Sequence, residues 1–115
     1  MTIQEMFDKV YIGLASQGFE QCKYNKHKTF YSCAYSDDNG KHCAWGWVDL
    51  SLSASHAGNV QDLKNESIGI AATLNEEQLD FALKLQNAHD GGDQPCVMKN
   101  NLVYLALKYN LEIPK

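Results

Sequence analysis

The stretch YSCAYSDDNGKHCAWGW, residues 31–47, decides which fold the sequence predicts. Aromatic and β-favouring side chains flank a polar tetrad, DDNG, in which Asn39 and Gly40 both tolerate a positive φ. This combination is typical of a tight β-hairpin, so we expect strands over residues 29–36 and 41–48. The sequence therefore predicts a hairpin near the middle of the chain.

The length of the hairpin loop decides which side chains share a face of the sheet. A two-residue loop pairs Cys33 with Gly46 and places Cys33 and Cys43 on opposite faces. A three-residue loop instead gathers four side chains on one face: Cys33, Tyr35, Cys43 and Trp45. The sequence leaves both registers open.

Three helices are predicted around the hairpin. Capping-box residues begin two of them, at Thr2 and Asn75, and Pro95 suits the first turn of the third. We expect these helices to end near Gly18, His89 and Asn110. The fold predicted is a single α+β domain over residues 1–115, with three helices packed on a small antiparallel sheet built around the central hairpin.

The segment between the hairpin and the second helix has the weakest pattern in the chain. Serine, glycine and asparagine are scattered between short apolar stretches over residues 51–73. We expect a loop there, a helical turn near VQDLKN (60–65) and a strand at IGIAA (68–72).

Composition excludes several classes of function. The chain has 115 residues, 44% of them hydrophobic, and a net charge of −4, which lacks the basic excess needed to bind nucleic acid. No apolar run approaches the roughly 20 residues that span a bilayer. The N-terminus has no secretory signal pattern, so we expect a cytoplasmic protein whose four cysteines are reduced.

Cysteine and histidine raise the question of a metal or thiol site. The relevant residues are Cys22, His27, Cys33, His42, Cys43, His56, His89 and Cys96. Their intervals are irregular and contain no C-x-x-C pair, so we expect no metal and no cofactor. Neighbours on a strand point to opposite faces, which separates His42 from Cys43. A small zinc or thiol enzyme is kept as an alternative.

The helix end and the loop after it, HDGGD (89–93), form a second candidate site. His89 with Asp90 would supply a base and an orienting carboxylate if they packed against the hairpin. Gly91 and Gly92, with the start of the third helix, would present backbone donors to an anion. The other interpretation is a tight connection between two helices, with His89 facing the core.

The aromatic side chains of the hairpin carry the main functional hypothesis. Such side chains are enriched at protein interfaces and around planar ligands. Three helices cover one face of the sheet and leave the other for a partner or a second copy of the chain. The binding residues predicted are Tyr35, Lys41, Trp45, Trp47, His89 and Asp90.

Four motifs give the chain a wider resemblance: SQG after the first helix, SCAYSDDNGKHCAWG, LQNAHD, and LALKYNLEIP at the end. Together they resemble a family of small uncharacterised phage and prophage proteins. The matching positions are Cys33, Tyr35, Gly40, Lys41, Cys43, Ala44, Gly46, Leu85, Gln86, His89 and Asp90. The resemblance implies a viral accessory protein that acts in the bacterial host cytoplasm and inhibits a host protein, such as a defence protein.

The function expected is therefore non-enzymatic binding of a host protein, with Trp45 and Trp47 in the contact. An alternative is an oligomeric sponge that sequesters a small nucleotide-like signalling molecule by aromatic stacking, with hydrogen-bond donors from Lys41, His89 or the nearby backbone.

Overall fold

The computed structural model describes residues 1–20, 23–24, 32–33, 40–52, 59–92 and 94–114. Its α-helices are α1 (Ile3–Ser16), α2 (Ala44–Val48), α3 (Val60–Asn65), α4 (Glu76–Asp90) and α5 (Pro95–Lys108). A 3-10 helix (Gly69–Thr73) lies between α3 and α4. Two short strands, β1 (Lys23–Tyr24) and β2 (Ser32–Cys33), pair in antiparallel fashion. The described part of the chain is therefore mainly helical.

The predicted α+β fold built around a central β-hairpin is wrong. The strands β1 and β2 contain two residues each and pair with one another, with Lys23 opposite Cys33. Most of the predicted second strand, residues 41–48, is the helix α2, so neither predicted register occurs. Asn39 lies outside the described residues, while Gly40 has a φ of +82°, the left-handed conformation expected of a turn.

Helix α2 replaces the predicted strand because its two tryptophans pack on helices and not on a sheet. The Sγ of Cys43 caps the helix by accepting a hydrogen bond from the Gly46 backbone N–H, at 3.4 Å. The Trp45 backbone N–H donates to Gln86 Oε1 of α4 at 3.1 Å, and Trp47 packs on α1. Aromatic β propensity reflects packing on a pleated surface, so burial against helices overrides it.

The predicted starts of the three longer helices are confirmed. Thr2 and Glu5 form a reciprocal capping box at α1, with both hydrogen bonds at 3.1 Å. Asn75 and Gln78 form the same motif at α4, with both bonds at 2.8 Å. Pro95 occupies the first turn of α5, as its fixed φ favours. These helices also end close to the predicted positions.

The segment before α4 is partly as predicted. Helix α3 covers the predicted helical turn, but the strand predicted at residues 68–72 is wrong, because a 3-10 helix forms there. The buried carboxylate of Asp49 accepts a hydrogen bond from the Ile70 backbone N–H at 3.0 Å and a second from Ser51 Oγ at 2.5 Å. Gly69, with a φ of +60°, lets the backbone approach this carboxylate. Asp49 thus fastens the 3-10 helix to the end of α2.

The hydrophobic core lies where α1, α2, α4 and α5 meet. Its largest fully buried side chains include Phe7, Trp45, Phe81, Leu85, Met98 and Leu102. Among the described residues, none of the helices combines the length and the apolar character needed to cross a bilayer.

Candidate functional site

Trp45, predicted as a binding residue on an exposed sheet face, belongs to the core. Only 1% of its side chain is exposed, because α2 directs it inward against α4. Its indole Nε1 is buried with no hydrogen-bond partner in the described part of the chain. Trp45 therefore contributes to stability and is not available to a docking partner.

His89 and Asp90 belong to a polar network that joins α4 to α2. His89 is fully buried, and its Nδ1 lies 2.9 Å from Asp90 Oδ1. The same carboxylate oxygen accepts a hydrogen bond from Gln86 Nε2 at 2.9 Å. Gln86 Oε1 in turn accepts from the Trp45 backbone N–H, which ties the start of α2 to the end of α4. The burial of His89 favours the interpretation of a core histidine, and its predicted binding role stays a prediction.

Trp47 is half-buried and lies against the end of α1. Its indole Nε1 donates to Gln17 Oε1 at 3.1 Å, and its ring contacts the His42 ring edge-on at a centroid distance of 4.5 Å. Gln17 also binds both backbone groups of His42, accepting from the N–H at 3.0 Å and donating to the carbonyl at 2.8 Å. This amide therefore fixes both Trp47 and the segment that precedes α2.

A shallow groove of about 320 Å³ runs beside Trp47. Its lining is Asp8, Lys9, Ile12, Gly13, Ser16 and Trp47, and Ile12 is 57% exposed. Gly13 has no side chain to hold the indole away, since a Cβ there would lie 2.3 Å from Trp47 Cγ. Of the two predicted tryptophans, Trp47 is the one that reaches the surface.

The structure does not gather the predicted binding residues into one site. Lys41 forms an ion pair with Glu20 and lies on the α1 side with Trp47. His89 and Asp90 lie in the network around Gln86. Tyr35 is outside the described residues, so its predicted role stays a prediction.

Cysteine and histidine are the candidate metal ligands and nucleophiles of the chain. Cys43 is buried and caps α2, whereas Cys96 is exposed in the first turn of α5. Cys22, His27 and His56 lie outside the described residues. Within the described ranges, no group of three or more His, Cys, Asp or Glu side chains is arranged to hold a metal ion.

The outer face of α5 carries a second stripe that the sequence analysis did not identify. The core stripe of this helix is Met98, Leu102, Leu105 and Ala106. The second stripe is Val97, Asn101, Tyr104 and Lys108, spaced at i, i+4, i+7 and i+11 as in a helix-packing seam. Tyr104 is 69% exposed, as is the neighbouring Leu107. We call Val97, Asn101, Tyr104, Leu107 and Lys108 the outer face of α5.

A groove of about 330 Å³ separates the outer face of α5 from α4. Its lining is Lys84, Asn87, Ala88, Asn101, Tyr104, Leu105 and Lys108, which includes two ammonium groups and no carboxylate. Lys84 Nζ donates to Tyr109 Oη at 2.6 Å and to Asp80 Oδ2 at 2.9 Å. These hydrogen bonds raise the pKa of Lys84 to about 12.

The sequence does contain a signal for this surface. Helix α5 has apolar residues around most of its circumference, because Val97, Tyr104 and Leu107 lie outside its core stripe. A surface helix normally has one apolar face, so apolar residues on a second face are a pattern that can be recognised in the sequence. The binding residues predicted from the sequence lie in the expected hairpin and in the HDGGD segment, and none of them is on α5.

Comparison of the chain with protein-family models, with curated proteins and with solved structures finds no match. The resemblance to small phage and prophage proteins therefore stays a prediction that rests on the short motifs alone.

Proposed function

We propose that the protein acts without catalysing a reaction, as a binding protein that docks on a partner protein through the outer face of α5. The observation that carries this proposal is the exposure of Tyr104 and Leu107, each 69% accessible and one helical turn apart. A single exposed apolar residue is ordinary, whereas several on one helix face beside a groove are typical of an interaction site. The groove against α4 supplies the concave part of that site.

The chemistry of these side chains supports recognition of a protein. Tyrosine offers a large, stiff contact area with a polar tip, and it is among the residues that dominate binding energy at interfaces. Leu107 extends the apolar area, and Asn101 and Lys108 supply polar groups at its edge. An apolar centre with a polar rim is the usual composition of a protein interface.

The partner and its setting come from the resemblance to phage proteins. We infer a host protein in the bacterial cytoplasm whose activity is blocked when the outer face of α5 covers part of its surface. A sponge for a nucleotide-like molecule was expected to use aromatic stacking with donors from Lys41 and His89. Because Trp45 and His89 are buried, no observation on the described residues favours that alternative.

Affinity capture with matched variants tests the proposal. The tagged protein is expressed in bacteria, and the proteins that co-purify with it are compared with those of the double variant Tyr104→Ala/Leu107→Ala. The control is Ile12→Ala, which truncates a side chain of similar exposure (57%) on α1. We expect a partner that is retained by the control and lost by the double variant, with circular dichroism showing that both variants are folded.

Once the partner is purified, its dissociation constant is measured with the wild-type protein and with the double variant. Removing an interface anchor costs about 2 kcal/mol or more, so we expect the double variant to bind at least about 30-fold more weakly. If the double variant and wild type bind equally well, or if Ile12→Ala is the variant that loses the partner, the outer face of α5 is not the docking surface.

A further inference from the structure

We infer that the groove between α4 and α5 takes an acidic amphipathic helical segment of the partner. This inference rests on the proposed function and specifies the chemistry of the same surface. Three observations carry it: the spacing of the outer face, the charge of the groove and the unpaired position of Lys108 within the described part of the chain.

The spacing of the outer face fits a helix. Val97, Asn101, Tyr104 and Lys108 follow one another by four, three and four residues, which is the interval of a seam between packed helices. The seam is about 16 Å long, because each helical residue rises 1.5 Å. A partner helix of about three turns lies along such a length. The groove beside α4 provides the concave surface into which one apolar edge of that helix packs.

The charge of the groove favours carboxylates on that helix. Lys84 and Lys108 line the groove without any acidic side chain, although the whole chain carries 14 acidic and 10 basic residues. Asp80 offsets part of the charge of Lys84 through their ion pair. Lys108 is exposed and makes no ion pair with any described residue, so its ammonium is available to an incoming carboxylate.

The proposed contact requires both the apolar area and the positive charge of this surface. Two lysines are too few to hold a phosphate backbone, whose binding rests on many such contacts, so the charge alone does not indicate nucleic acid. Tyr104 and Leu107 supply the apolar area, and the lysines select the charge of the segment that packs on it.

Two synthetic helical peptides of equal length test this inference. They share leucines at i, i+3, i+4 and i+7, and their remaining positions are glutamate in one and lysine in the other. Fluorescence anisotropy measures the affinity of each peptide for the full chain at low and at physiological salt. We expect the glutamate peptide to bind at least about tenfold more tightly than the lysine peptide, by a margin that shrinks as salt is added.

Charge-reversal variants locate the contact. Lys108→Glu is compared with Lys9→Glu, which changes the net charge by the same amount but lies on α1. We expect Lys108→Glu to weaken binding of the glutamate peptide by about fivefold to tenfold and Lys9→Glu to leave it unchanged. Equal effects of the two variants would show that the preference for the glutamate peptide depends only on the net charge of the protein, which would overturn the inference.

The remaining outcomes separate this inference from the proposed function. Equal affinity for both peptides overturns the acidic-segment inference, and the proposed function survives if Tyr104→Ala/Leu107→Ala still loses the natural partner. Sedimentation of the chain alone is the second measurement. A dimer that Tyr104→Ala dissociates would show that a second copy occupies the groove, which also overturns the inference. A monomer that binds the glutamate peptide supports it.

Discussion

Replacing Gly13 by alanine tests how closely α1 and Trp47 pack. A Cβ at this position would lie 2.3 Å from both Cγ and Cδ2 of the Trp47 indole, far inside van der Waals contact. The indole would have to move, and movement would break its hydrogen bond to Gln17 Oε1. The absence of a side chain at Gly13 therefore allows the Trp47 indole to pack directly on the backbone of α1.

Opposing contributions set the size of the effect. Alanine is favoured over glycine inside a helix by about 1 kcal/mol. Overpacking costs about 1–3 kcal/mol, and loss of the hydrogen bond between Trp47 and Gln17 costs about 1 kcal/mol more. We expect Gly13→Ala to lower the free energy of unfolding by about 1–3 kcal/mol, although the substitution improves helix propensity.

A double-mutant cycle isolates the steric contribution. In a Trp47→Ala background the indole is absent, so Gly13→Ala should now raise the free energy of unfolding by about 1 kcal/mol. Urea unfolding followed by far-UV circular dichroism measures all four proteins on one scale. A Gly13→Ala effect of the same sign in both backgrounds would show that the indole does not occupy the space over Gly13.

Three further predictions follow from the local contacts. Gly69→Ala brings a Cβ to 2.1 Å from a carboxylate oxygen of the buried Asp49. The control is Gly18→Ala, which meets nothing within 4 Å and costs about 1–2 kcal/mol because Gly18 has a left-handed backbone. In urea unfolding, Gly69→Ala should lower the free energy of unfolding clearly more than the control. Gln86→Ala leaves a buried backbone N–H of α2 without its acceptor and should cost about 1–3 kcal/mol in the same assay; no measurable loss would argue against the network. Hydrogen bonds from Thr2 lower the pKa of Glu5 below its ordinary value of 4.5 in the folded protein. The ionised Glu5 cap therefore stabilises the protein fully above pH 4.5, and this stabilisation is lost as the pH falls through the lowered pKa. An NMR titration of Glu5 checks the direction, and Thr2→Ala should return the pKa towards 4.5.

The helix starts were predictable because their signals are local. The side chains of Thr2 and Asn75 satisfy backbone donors within the first helical turn, so a few residues of sequence suffice to recognise each cap. Pro95 acts in the same way through its fixed φ. Such contacts form whatever the rest of the chain packs against.

The hairpin prediction failed because it relied on β propensity, which depends on tertiary packing. Trp45 and Trp47 are as suitable for a strand as for a helix face, and contacts with Gln86 and Gln17, distant in sequence, decide between the two. Cys43, an unusual N-cap, gave no recognisable helix signal. The same failure placed Trp45 on an exposed face, whereas its side chain is buried.

The outer face of α5 illustrates the limit of reading a site from sequence. Helix α5 has apolar residues on two sides, and only the packing of Met98 and Leu102 into the core shows that Tyr104 faces outward. Lys84 of α4, 20 residues before Tyr104 in the sequence, joins the same groove through the packing of the two helices. Neither fact is visible in the periodicity of one helix.

Photo-crosslinking identifies which surface of the protein contacts the partner. A benzophenone-bearing phenylalanine is placed at position 104 in one sample and at position 12 in another, since both native side chains are exposed on the surface. We expect irradiation in bacteria to link the partner to position 104 and not to position 12. Crosslinks from position 12 alone would place the docking surface beside Trp47 and contradict the assignment to α5.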